Sequence, residues 1–147
     1  MSNSGTQNRI TAGEIRQFMA QKEGEEATKA LAKARELEAE QQKVRDEFMK
    51  RDIHPDVWNR IRNAVQMAAA NGRSEIMVLK FSSDLCSDGG RAINNGDPDW
   101  PSTLTGFAAK AADFYQKELK SQGFKVRAQV LDYPKGIIGD IGLFLIW

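Results

Sequence analysis

A chain of 147 residues with 41% hydrophobic side chains accommodates one domain and an appendage. Its charges cancel to +1, which removes any global electrostatic argument for nucleic acid. The single cysteine excludes an intramolecular disulfide and a cysteine zinc cluster, and no apolar run is long enough to span a membrane. The opening MSNSGTQNRI lacks the basic-then-apolar order of a signal peptide, so a cytoplasmic location is expected.

Residues 1–10 are small and polar and read as a disordered tail. Thr11-Ala-Gly-Glu14 has the form of a capping box and predicts a helix from about Ala12, with Ile15, Phe18 and Met19 on one side. Gly24 is unfavourable in a helix interior, so a bend is expected near it. From Glu25 to Arg51 the residues are mostly strong helix formers, and the whole of 11–52 reads as a long charged helical arm. Its apolar stripe is Ala30, Ala34, Leu37, Gln41, Val44 and Phe48, spaced 4, 3, 4, 3, 4, the alternation of a heptad repeat. Ten basic and ten acidic residues are mixed through residues 1–53, as on a solvated helix. A coiled-coil arm held by Leu37, Val44 and Phe48 and a solvated helix lying on its own domain both remain open readings.

Asp52-Ile53-His54-Pro55 ends the arm and opens a compact domain over 53–147. A second helix is predicted from Pro55 to Ala70, stopped by Asn71-Gly72, with Val57, Trp58, Ile61, Ala64, Val65 and Ala68 inward and Arg60, Arg62 and Asn63 outward. Glu75–Phe81, EIMVLKF, is apolar on both faces except at Lys80 and reads as a buried strand. Ser82–Thr103 follows as a long loop with three Gly, two Pro and four Asp against one Arg, the kind of segment that often carries function in α/β folds. A third helix should be capped by Ser102 or Thr103 and stopped by Gly123, with Phe124 packing just beyond. Phe124, Val126, Ala128 and Val130 alternate with Lys125, Arg127 and Gln129 in a half-buried strand. A turn over Tyr133–Asp140 then closes a hairpin with the last strand, Ile141–Trp147.

The expected fold is α/β of the two-layer α+β kind. A helix-strand-helix-strand-strand domain carries a small mixed three-stranded sheet with two helices on one face, preceded by the long charged helix. The crossover helix predicts that the first two strands run parallel. Asn59–Ala64 (NRIRNA) and Leu119–Phe124 (LKSQGF) resemble the opening helix and the helix-to-strand junction of the N-terminal domain of small-subunit ribosomal protein eight. That resemblance implies the same element order, over these two short segments only.

Chemistry-bearing constellations are sparse. Asp84-Leu-Cys86-Ser-Asp88-Gly89 begins like a calcium loop, but its third ligand position is Cys86 and its twelfth is Asn95, so only a looser divalent site from Asp84, Asp88, Asp97 and Asp99 remains as an alternative. Cys86 as a nucleophile would need a base, and the only histidine, His54, reads as a cap of the second helix. Lys80, Lys125 and Arg127 on an open sheet face, with Arg60 and Arg62, form an alternative nucleic-acid surface. One apolar set of the last strand is left over by a single layer of helices, which makes Ile146 and Trp147 candidates for an interface. The expectation is therefore a non-enzymatic protein-interaction module that associates with itself or a protein partner, with no cofactor and no membrane; a nucleic-acid-binding module is the alternative, and an enzyme or divalent-metal site in the Asp-rich loop 82–103 is the third reading.

Overall fold

The computed structural model describes residues 9–147. The expected tail lies, up to residue 8, outside the described residues. The chain divides into two units, Met1–Val44 and Arg45–Trp147.

Helix α1, Ala12–Lys50, runs 39 residues without interruption and none of its residues is buried. The capping box forms: the Glu14 N–H donates to Thr11 Oγ1 at 3.2 Å, and the Thr11 N–H donates to Glu14 Oε2 at 3.4 Å. The helix is not interrupted at Gly24. The flanking Ala, Glu and Lys residues carry the helix through it, and the Thr28 hydroxyl donates to the Gly24 carbonyl at 2.8 Å.

In the second unit, helix α2 spans Val57–Ala70 and ends at Gly72, whose φ of +77° is the left-handed stop its sequence predicts. Strands β1 (Glu75–Ser82), β2 (Lys125–Val130) and β3 (Asp140–Ile146) form one sheet in the order β1-β3-β2. Both pairings are antiparallel. β1 and β2 therefore point the same way but do not pair, because β3 fills the space between them. Composition explains the order. β3 contributes Ile141, Leu143 and Leu145, all essentially sealed from solvent, and takes the centre. β2, with Lys125, Arg127 and Gln129 exposed on alternate positions, suits an edge.

The register stacks the core in rows. Ile141 lies between Phe81 and Val130, Leu143 between Leu79 and Ala128, and Leu145 between Ile76 and Val126. Val78 is an extra residue in β1, where the register shifts between Met77 and Leu79. This bulge restores inward orientation to Leu79 and Phe81 after Ile76. Helix α4, Gly106–Phe114, packs on the same face through the buried Ala108 and Ala112. A π-helical turn, Tyr115–Leu119, continues it and adds Tyr115 and Leu119 beside Leu145. The Tyr115 hydroxyl donates to the Phe124 carbonyl at 2.9 Å, and Gly123 with φ +91° ends the run as expected.

The segment after β1 is not an open loop. A 3-10 turn (Ser83–Leu85), the short helix α3 (Arg91–Asn94) and a second 3-10 turn (Trp100–Thr103) fold it into a compact insert. Cys86 bridges to Leu104, and both are buried in the core with Ile93. The buried Ser83 hydroxyl donates to the Ile138 carbonyl at 2.9 Å, tying the insert to the residues ahead of β3. Ser102 and Thr103 do not cap α4; their hydroxyls donate to the carbonyls of Asp99 and Trp100 inside the second turn. Thr105 instead stands at the N-cap position.

Candidate functional site

Four surfaces bear on function, and the arm comes first. Leu37 and Val44 are each 58% exposed on α1. Phe48, assigned to the same stripe, is placed differently. Its ring is 5.9 Å from that of Phe81 and 6.3 Å from that of Phe107, edge-on to the latter, and packs half-buried against the core of the second unit. A residue in a heptad position is drawn from the seam because an aromatic pair and a core lie within reach. The last turns of α1, from Arg45, thus belong to the compact unit, whose boundary falls ahead of the one expected at residue 53.

The helices of the second unit pack on one face of the sheet, and the other face presents Met77, Lys80, Arg127, Gln129, Phe144 and Ile146. Phe144 folds over Gly142, where an added Cβ would come within 3.0 Å of the ring. The Arg127 guanidinium stacks 4.8 Å from the Phe144 ring centroid and pairs with Glu75 at 3.0 Å across the width of β3. Lys80 pairs with Asp140 at 3.7 Å. The basic residues offered as a nucleic-acid surface are thereby compensated on this face, leaving Lys125 as its remaining cation among the described residues. Arg62 is exposed on α2 and Arg60 lies at a cavity mouth described below, so the five do not form one patch. Ile146 is half-buried on the open face, and Trp147, 37% exposed, donates its N–H to the Ser74 carbonyl at 3.1 Å.

The aspartates of the insert are not gathered into a metal site, and no group of three His, Cys, Asp or Glu among the described residues could hold a metal ion. Two of the four serve their own turns. Asp88 accepts from the N–H groups of Gly90 and Ala92 at 2.9 and 2.8 Å, and Asp97 accepts from the Asp99 N–H at 2.9 Å. The Ala92 hydrogen bond foremost holds the Asp88 carboxyl below its ordinary range. The Cys86 thiol is buried in the core. Burial, aided by the charge of Asp88 and opposed by the Thr103 hydroxyl, pushes its thiol up to about 11. His54 does not cap α2, whose N-cap residue is Asp56; its Nδ1 accepts from the Asp56 N–H at 3.0 Å, one residue ahead of the helix.

The fourth feature has no counterpart among the sequence-based candidates. A cavity of about 530 Å³ lies between α2, α4 and the sheet. Its walls are apolar: Val57, Ile61 and Ala64 from α2, Phe107, Ala111 and Phe114 from α4, and Ile76, Leu79, Leu143 and Leu145 from the sheet. The bulged pair Met77 and Val78 lines its edge. Polar groups at the cavity come from the α1–α2 junction and the first turn of α2: Arg51, Asp52, His54 and Arg60. The sequence signal was present in the broad apolar face of α2, which carries more apolar surface than it buries: only Ala68 of this helix is buried, and Trp58 rests half-exposed edge-on to Phe114 at 5.8 Å.

No protein-family model matches the chain, and neither curated proteins nor solved structures yield a match. No helix among the described residues is long and apolar enough to cross a membrane.

Proposed function

We propose that the protein is a non-enzymatic assembly module that associates with a second copy of itself through α1. One observation carries this reading. A helix of 39 residues buries none of them, yet it sets Leu37 and Val44 on a heptad spacing with 58% of each exposed. A solvated helix has no use for apolar side chains at that spacing, whereas a second helix removes them from water in a single seam. Ala30 and Ala34 on the same stripe allow close approach of the partner backbone, and Gln41 supplies one polar position that favours a fixed register.

The test is the mass of the full chain in solution by multi-angle light scattering. The natural chain is expected to run as an oligomer, and the double substitution Leu37→Asp/Val44→Asp as one chain, because it buries two carboxylates in the seam. A natural chain of monomer mass, or an oligomer unmoved by the double substitution, overturns the reading.

A further inference from the structure

We infer that the cavity between α2, α4 and the sheet binds one anionic alkyl amphiphile, with its chain among the apolar walls and its head at Arg51 and Arg60. Three observations converge on this class of ligand.

The first is size and character. About 530 Å³ is within the range of small-molecule sites, and the lining includes Leu143 and Leu145, two of the three fully buried side chains of the sheet. A space of this size with so few polar partners is poorly suited to water, which needs two or more hydrogen bonds per molecule. An aliphatic chain meets no unsatisfied polar group there.

The second is the charge of the polar groups that line it. Asp52 is the sole acid in the lining, and it is already engaged by the Lys110 ammonium at 2.5 Å. Lys110 also donates to the Arg51 carbonyl at 2.9 Å, which fixes the segment that carries both residues. What is left over is the positive charge of Arg51 and Arg60. The Arg51 guanidinium lies 4.0 Å from the centroid of the Phe107 ring, so a cation is held over an apolar wall of the cavity. Arg60 makes no ion pair among the described residues. Two guanidinium groups beside an apolar cavity suit a carboxylate or phosphate attached to a hydrocarbon.

The third is the build of the site. The lining groups come from the α1–α2 junction, α2, α4 with its π-helical extension, and all three strands, so the cavity exists only in the assembled unit. The β1 bulge at Val78 falls in the lining of the cavity, and bulges commonly accompany ligand sites.

Titration calorimetry on the full chain tests the inference, with dodecanoate and dodecyl phosphate as anionic probes and dodecyltrimethylammonium as the cation of matched chain, all below their micellar concentrations. One-to-one binding of the anions and none of the cation is expected. The double substitution Arg51→Gln/Arg60→Gln, at two exposed positions, should weaken anion binding by about tenfold or more. Ala111→Leu, which fills the wall from α4, should abolish binding. Ala64→Phe, at an exposed position of α2, provides a second filling variant, so that a folding failure of the first leaves the test intact. Vesicles of phosphatidylglycerol separate a free amphiphile from a bilayer surface. Absence of binding by the folded chain overturns the inference. So do equal binding of the cation, indifference to both filling variants, and attachment to vesicles without binding of the free probes.

Discussion

Asp88 holds the turn at Gly89-Gly90 with both carboxylate oxygens, one on the Gly90 N–H and one on the Ala92 N–H. These bonds favour the charged form, so its folded-state pKa lies below the ordinary 3.8. The stabilisation is present above the ordinary value and is lost as pH falls through the lower folded value. Asp88→Asn keeps one acceptor and turns an amide NH2 toward the other N–H, and it should cost about 1 kcal/mol at neutral pH. Urea unfolding of both chains should show that difference at about pH 7 and its decline as pH falls below the ordinary carboxylate range and through the lowered folded value. A difference independent of pH would mean that Asp88 acts through its shape alone. Cys86, a few residues earlier, shows the opposite environment: a thiol raised by burial is a core side chain held in the neutral state.

At the level of elements, two glycines on helices have opposite consequences. Gly24 sits mid-helix in α1 with open space where a Cβ would stand, so Gly24→Ala should stabilise α1 by about 0.5–1 kcal/mol. Gly106 starts α4 at φ +54°, and a Cβ there would come within 3.0 Å of Met49 Sδ, Met49 Cα and Phe48 Cδ1. Gly106→Ala must strain the backbone and push the end of α1 away, at a cost of about 2 kcal/mol or more. Denaturant midpoints moving in opposite directions for the two variants check this. Much of the element structure was legible in the sequence because its signals are local. Thr11 and Glu14 close a box three residues apart, Gly72 and Gly123 stop helices, and the β2–β3 hairpin follows from Lys125–Val130 alternating ahead of a turn. What was not legible depends on partners far along the chain. Phe48 obeys a heptad spacing yet belongs to Phe81 and Phe107. The aspartates of residues 82–103 look gathered in sequence but form no cluster, and Asp88 and Asp97 fold back on separate turns. The cavity needs groups from residues 51 to 145, and no window of sequence contains it.

For the whole molecule, the division at Val44–Arg45 makes a specific prediction about truncation. A chain beginning at Arg45 should keep its sheet and core. One beginning at Asp52 loses Phe48 from its aromatic contacts and Arg51 from Phe107, and should be less stable by about 3 kcal/mol or more. Near-ultraviolet circular dichroism with urea melts would distinguish the two, and equal stability would show that the end of α1 contributes nothing to the second unit. The strand order has a separate consequence, for synthesis. β3 lies between β1 and β2 and is made after both. While the ribosome is still extending the chain toward Asp140, neither earlier strand has a neighbour to pair with, and Phe81, Ile76 and Val126 wait without the row of Ile141, Leu143 and Leu145 that covers them. Closure of the sheet joins residues as distant as Glu75 and Ile146, so the second unit is bound to be a late and comparatively slow folder that completes itself only once β3 has cleared the exit tunnel.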